Sequence, residues 1–281
     1  MRRTTAGAFG VMSITDLAER VAAFDHVEPL NEASLLALRD RVEPRVDIRF
    51  ETPDGQLMAL AFAAGDTAVE VMVDPRFRRG GFGTRMVSAA LSEGESSFWA
   101  HGGLPGVAQI AKKTGLVAER TLLILRKEFD GPVEAETVPD NVTLRTFHAG
   151  DEDPIVAVNA RAFAHHPEQG AMDRADLDRR MSSDWFDPEG LFIAEQSGHV
   201  VGFHWTKIEA GIGEVYVVGI DPDAQGGGLG KALTARGVRH LQERGVPAVI
   251  LYVEGDNEPA LAVYRKLGFK DFKKDVLYRK A

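Results

Sequence analysis

Two glycine-rich turns carry the most specific chemistry in the chain. One reads Arg78-Arg79-Gly80-Gly81-Phe82-Gly83, the other Gln225-Gly226-Gly227-Gly228-Leu229-Gly230. Each follows an apolar run that ends in Asp-Pro, at Asp74-Pro75 and Asp221-Pro222, and each leads into an amphipathic stretch. A glycine turn between a strand and a helix lets backbone approach a ligand closely. Its N–H groups, at the start of the helix, face an anion. The same turn without a ligand is an ordinary tight connection.

Two familiar loops are excluded. A Walker A loop has Gly at its first position and Ser or Thr at its last, where Gln225 and Ala232 stand. A dinucleotide fingerprint fails at Lys231 in the second turn and at Met86 in the first. Both turns satisfy Gln/Arg-x-x-Gly-x-Gly, through Arg78, Gly81 and Gly83 and through Gln225, Gly228 and Gly230.

The turns belong to a repeat of domain size. Asp74 corresponds to Asp221, and Lys113-Thr114-Gly115-Leu116 corresponds to Lys266-Leu267-Gly268-Phe269. The expected division is a domain over 1–130, a linker over 131–141 rich in Pro and acids, and a second domain over 142–281. In the second half, strands are predicted at Leu191 to Ala194, His199 to Ile208 and Glu214 to Ile220, with a turn at Ala210 to Gly213. A helix from Leu229 to Arg244, a strand from Val249 to Val253, a helix from Glu258 to Leu267 and a closing strand follow. Strands alternating with helices give an α/β layered domain.

The second half adds Asn257-Glu258-Pro259-Ala260, then Tyr264 and Gly268-Phe269. With the turns, this pattern resembles the GNAT acetyltransferase superfamily. That resemblance implies two tandem GNAT domains, each a central mixed β-sheet flanked by helices, with acetyl-CoA as co-substrate. Longer stretches, Asn159 to Gly170, Trp185 to Leu191, Gly202 to Lys207 and Leu251 to Glu254, resemble the mycothiol synthase family of actinobacteria over essentially the whole chain. That family implies acetylation of the cysteinyl amine of cysteinyl-glucosaminyl-inositol. An acetyltransferase for an antibiotic amine or a peptide N-terminus, or a non-catalytic acyl-CoA sensor, would satisfy the generic motifs as well.

By resemblance, the coenzyme residues are Val71, Met72, Val73, Arg79, Gly80, Gly81, Phe82, Gly83 and Thr84 in the first half. In the second they are Val218, Gly219, Ile220, Gln225, Gly226, Gly227, Gly228, Leu229, Gly230 and Lys231, with Asn257, Glu258, Pro259, Ala260, Leu261 and Ala262 on the coenzyme's other side. The acceptor residues are Glu32, Glu168, Lys207, Glu214 and Tyr252. Because Glu32 lies in the first half, the resemblance implies a cleft shared by both domains.

Acetyl transfer to an amine needs a free amine, a stabilised oxyanion and a proton for the departing thiolate. Glu214 is the candidate base, and an ion pair with Lys207 is its alternative role. Pairing about residues 210 and 211 would set those two opposite each other. Tyr264 is the candidate acid, with a core tyrosine as the alternative. The oxyanion is expected at a backbone N–H in Val218 to Ile220. Thr67 and Ala111 stand where Glu214 and Tyr264 would be in the first half. That half is therefore expected to hold coenzyme without catalysing.

Composition narrows the rest. There are 33 Lys and Arg against 42 Asp and Glu, a net charge of −9, which disfavours nucleic acid as a partner. With no Cys, there is no thiolate metal site, disulfide or cysteine thioester. His165-His166 is a poor metal pair, since adjacent histidines rarely converge on one ion, and no metal is expected. No apolar run is long enough to span a bilayer, and Ala6 to Met12 is short for a secretory signal. A cytoplasmic monomer without membrane or nucleic-acid partners is the expectation.

Overall fold

The computed structural model describes residues 8–133, 135, 137–165 and 169–281. Compact packing divides them into two units. One comprises 8–123, 254–256 and 273–281; the other comprises 124–253 and 257–272, within the described residues. These are not the contiguous halves expected from the repeat. The final strand of each half changes places, as the strand orders below explain.

The first unit contains α1 (Ala8–Asp25), α2 (Glu32–Arg39), β1 (Val46–Glu51), β2 (Leu57–Ala63), β3 (Val69–Val73), α3 (Phe82–Ser92), β4 (Ser97–Ala100) and α4 (Val107–Thr114). Its strands run in the order β1-β2-β3-β4, followed by β11 (Lys270–Lys280), the last strand of the chain. Val276 to Arg279 pair antiparallel with Ala100 to Ser97. The sequence of β2, Leu-Met-Ala-Leu-Ala-Phe-Ala, is apolar on both faces because both are covered. Leu60 and Phe62 pack with Ile14, Leu17 and Val21 of α1. Ala59, Ala61 and Ala63 pack with Met86, Val87 and Ala90 of α3.

In the second unit, β6 (Thr143–Thr146), β7 (Leu191–Gln196), β8 (His199–Glu209) and β9 (Ile212–Ile220) form an antiparallel meander. Next to β9 runs β10 (Ala248–Glu254), in parallel, and β5 (Leu116–Glu128), whose residues 124–128 belong to this unit, follows. Thus the first repeat's last strand stands in the place that β11 takes in the first unit. Helices α5 (Glu152–Ala162) and α6 (Arg174–Met181) cover one face, where Ile155, Val158 and Leu177 meet Ile193, Phe203, Trp205 and Val217. The other face carries α7 (Leu229–Glu243), and α8 (Glu258–Lys266) precedes β11. The start of the expected linker meets α7: Gln242 accepts from the Val133 N–H at 2.9 Å and donates to the Gly131 carbonyl at 2.7 Å. No helix among the described residues is long and apolar enough to cross a membrane.

The first unit has a buried ionic clamp that the sequence pattern did not disclose. His101 sits between Glu70 and Asp275, with ring nitrogens 2.7 and 2.8 Å from their carboxylates. Ser34 Oγ and the Asn31 N–H donate to Glu70, both at 2.6 Å, and the Gly102 N–H donates to Asp275 at 2.7 Å. The start of α2 is thereby tied to β3, and β11 to the end of β4. Burial opposes the charge on His101, but the bonds and charges of Asp275 and Glu70 outweigh it and hold the imidazole's pKa up at about 10. A pKa raised on folding stabilises fully below the unfolded value of about 6.5. That contribution is lost as pH rises through the folded value. Urea unfolding from pH 7 to 10 should therefore show stability falling with pH, with a smaller slope in His101→Gln. Equal slopes would mean that His101 is not held protonated.

Candidate active site

The two glycine turns have nearly the same backbone. Asp74 (φ −50°, ψ 128°) and Asp221 (φ −51°, ψ 128°) each cap a short helical turn, accepting a backbone N–H two residues on at 3.0 Å. Gly81 (φ 79°, ψ 6°) and Gly228 (φ 83°, ψ 2°) then open α3 and α7 in the left-handed region that favours glycine. Neither helix start has a side-chain cap, so the first-turn N–H groups of the 15-residue α7 are presented by glycine alone. A Cβ at Gly226, Gly227 or Gly228 would meet nothing within 4 Å, which leaves a pyrophosphate room to approach. Leu229 and Leu261 are core side chains, so they can serve the coenzyme only through their backbone.

β9 arrives at this loop with one edge open. Its ladder with β10 pairs Gly213 to Val215 with Val249 to Leu251, whereas its ladder with β8 continues to Ile220 opposite Gly202. The Asp221 N–H donates to the Val201 carbonyl at 2.9 Å, toward β8. Alternation along an antiparallel strand then points the N–H groups of Gly219 and Val217 toward β8 and those of Val218 and Ile220 away from it. The latter two face the side where pairing with β10 has ended. They are oriented donors for an oxyanion or a strand-like ligand arm.

A bulge re-aims the other half of the site. Trp205 lies opposite Val217 but Thr206 lies opposite Val215, so Tyr216 is an extra residue on β9. Both Tyr216 and Val217 consequently pack on the α5 and α6 face. Lys207 and Glu214 are direct cross-strand partners, as the symmetry about residues 210 and 211 predicts. Lys207 is buried, 2.9 Å from Glu209, with its Nζ 5.0 Å from the ring centre of Trp185 and 5.6 Å from that of Tyr216. Arg180 Nη1 donates to the Tyr216 hydroxyl at 2.8 Å. Sequence reasoning did not find Tyr216 and Arg180, because a bulge has no signature in residue spacing. Trp205 is fully buried, whereas Trp185 also flanks the Lys207 ammonium. The connection between β8 and β9 is two residues, Ala210 (φ 49°) and Gly211 (φ 76°), shorter than expected. Gly213 belongs to β9, where a Cβ would press on Val246 and Leu241.

Tyr264 is on α8, whose N-cap Asn257 accepts from the Ala260 N–H at 3.2 Å. Burial pushes the Tyr264 phenol up to about 12, so it stays protonated at neutral pH and able to donate. Tyr252 stands exposed on β10, one residue beyond the end of the β9 ladder. Glu32 is the first residue of α2, whereas Glu168 and His166 lie outside the described residues. In the first unit, Thr67 falls in the turn before β3, donating to the Ala64 carbonyl at 2.8 Å, and Ala111 is buried in α4. Neither offers a carboxylate or a phenol. Among the described residues no group of three or more His, Asp or Glu is arranged to hold a metal ion.

Sheet, open strand edge and glycine loop define an acetyltransferase of the GNAT class, and the Acetyltransferase (GNAT) family matches residues 160–269. The fold is similar to a GCN5-related N-acetyltransferase from Sphaerobacter thermophilus (TM-score 0.75, 24% identity, 98% of this chain and 94% of that one). It is also similar to a tandem GNAT protein of the clavulanic acid pathway (TM-score 0.70, 18% identity, 95% and 93%). Curated relatives span the whole chain. Mycothiol acetyltransferase of Thermobispora bispora is 43% identical, covering 95% of both chains, and that of Thermomonospora curvata is 45% identical, covering 96% and 93%. The chain belongs to the mycothiol acetyltransferase family and is an acetyl-CoA-dependent N-acetyltransferase.

The loop geometry sets a clean test. Gly228→Ala meets no protein atom, and its strained backbone costs about 1–2 kcal/mol. It should fold yet bind acetyl-CoA at least about 10-fold more weakly by calorimetry, because an added methyl at a phosphate-facing backbone blocks close approach. The counterpart in the first loop is Gly81→Ala, which is equally open. Gly83 is unsuitable, since a Cβ there would lie 2.9 Å from Ile110.

Proposed function

We propose that the chain transfers acetyl from acetyl-CoA to the cysteinyl amine of cysteinyl-glucosaminyl-inositol, giving mycothiol and CoA. The observation that carries this reading is the end-to-end similarity to mycothiol acetyltransferases at 43–45% identity. Glu214 removes a proton from the ammonium form of the amine, which titrates near ~8. The amine nitrogen then attacks the thioester carbonyl, and the oxyanion is held by the N–H of Val218 or Ile220. Collapse breaks the C–S bond, and Tyr264 gives its proton to the departing thiolate. Lys207 and Tyr252, with Glu32 and Glu168 by resemblance, provide hydrogen bonds to the acceptor. The first repeat holds acetyl-CoA on its own loop without turning it over, and the repeat boundaries remain 1–130 and 142–281. A monomer in the cytoplasm, independent of metal, completes the reading.

Support for the roles comes from geometry. Glu214 lies on the strand whose open edge leads to the loop, and Tyr264 remains protonated at working pH. Glu214→Gln and Tyr264→Phe should each lower kcat about 10²-fold, at the low end for general acid–base groups. Acetyl-CoA affinity should change less than about twofold. Parent-like kcat in both variants would overturn the assignment.

A further inference from the structure

We propose that Arg161 is a positioning residue for the coenzyme. From the last turn of α5 it fixes the Asp221 cap of the second glycine turn and neutralises the carboxylates beside that turn. The role goes beyond those assigned above and rests on the reading that this turn holds the acetyl-CoA pyrophosphate.

The first support is a contact that both repeats build. α1 packs on β2 and β3 through Leu60, Phe62 and Met72, and α5 packs on β8 and β9 through Phe203, Trp205 and Val217. Each helix sends one arginine to the aspartate that caps its glycine turn. Arg20 Nε donates to Asp74 at 2.8 Å, and Arg161 Nη2 donates to Asp221 at 2.8 Å. In the second repeat a single oxygen, Asp221 Oδ1, takes both the guanidinium and the Asp223 N–H of the capped turn. Asp221 is buried, and a buried carboxylate deprived of its cation turns toward water. The cap bond would go with it, and Gly226 to Gly228 follow directly on that turn.

The second support is a reversal of charge at the two caps. Counted from the capping aspartate, Arg76 corresponds to Asp223. Arg76 donates to Asp74 at 3.0 and 2.7 Å, so with Arg20 that carboxylate has two guanidiniums. The bond from Arg76 chiefly holds the Asp74 carboxyl well below the usual carboxylate range. Asp223 instead accepts from Arg161 at 2.6 Å, so one guanidinium serves two carboxylates. Within these contacts the first turn has positive charge in excess at its root, and the second has negative charge in excess. A pyrophosphate is an anion, and fields reach it over the ~8–10 Å that salt leaves unscreened. Arg161 keeps Asp221 and Asp223 from repelling it. Arg161 and Asp223 both face solvent, so each can be exchanged without disturbing the core.

The test measures acetyl-CoA affinity by calorimetry in the Gly81→Ala background, so that the second turn reports alone. KM and kcat with cysteinyl-glucosaminyl-inositol accompany it. Arg161→Met should weaken acetyl-CoA binding about 5-fold at low salt and raise its KM to match, with kcat changed less than about twofold. Arg161→Lys, which restores the charge, should recover most of the loss. Asp223→Arg copies the first repeat and should bind acetyl-CoA about 3-fold more tightly than Asp223 does. At about 0.3 M salt both effects should shrink, as screening requires. A gain in affinity does not come from a damaged fold, so Asp223→Arg decides even if Arg161→Met melts early. Unchanged affinity in Arg161→Met, no gain in Asp223→Arg, or effects insensitive to salt would overturn the proposal. Should Gly228→Ala bind acetyl-CoA as tightly as the parent, the turn does not hold the coenzyme. The reading of the loop then fails, and the proposal with it.

Discussion

The constraint on which this structure turns is that β9 is paired along its full length on one edge and only over Gly213 to Val215 on the other. A strand interior to a sheet normally satisfies its backbone groups on both sides. Here the antiparallel ladder to β8 holds the strand rigid, so the N–H groups of Val218 and Ile220 keep their direction without a strand beyond them. The Asp221-Pro222 turn then carries the chain straight into Gly226 to Gly228 and the N-terminus of α7. Oriented amides and an anion-binding helix start thus come from consecutive residues. The open amides and the start of α7, which the proposed mechanism uses for the oxyanion and the pyrophosphate, are held by the same hydrogen-bond ladder.

The two repeats keep this backbone device and differ in what surrounds it. Their Asp caps and the glycines that open α3 and α7 agree within a few degrees, yet β3 has five residues where β9 has nine. That shortening removes the strand position on which Glu214 stands, and Thr67 becomes a turn residue. In exchange the first unit joins Glu70, His101 and Asp275 in a clamp, whereas Val217 stands at the position of Glu70 in the second repeat. Two carboxylates around one imidazolium are tolerable inside a protein only when each carboxylate oxygen finds a donor. Asn31, Ser34 and Gly102 provide those donors. The first unit uses its charged cluster to join α2 and β11 to its sheet, whereas the second pairs Lys207 with Glu214 across the β8–β9 hairpin.

Much of this was legible in the residues. Strand and helix positions in the second half follow from apolar periodicity and from Asp-Pro and glycine punctuation, and they match within two residues at nearly every end. The opposition of Lys207 and Glu214 was likewise derivable, because a two-residue hairpin fixes register. Three things were hidden for physical reasons. The exchange of final strands depends on which sheet edge each finds, and both strands have similar patterns. The bulge at Tyr216 is a one-residue slip that no spacing encodes. Gly237 looks like a weak point in α7, but a Cβ there would come within 2.1 Å of the buried His204 ring, so the glycine exists to admit that side chain.

Backbone hydrogen exchange at β9 tests the central claim most directly. Amide protection should be measured residue by residue with and without saturating acetyl-CoA. The account predicts that Val217 and Gly219, bonded toward β8, are protected in both states, and that Val218 and Ile220 become protected only when the coenzyme is added. Val218 and Ile220 protected equally in its absence, or unchanged by bound acetyl-CoA, would contradict it.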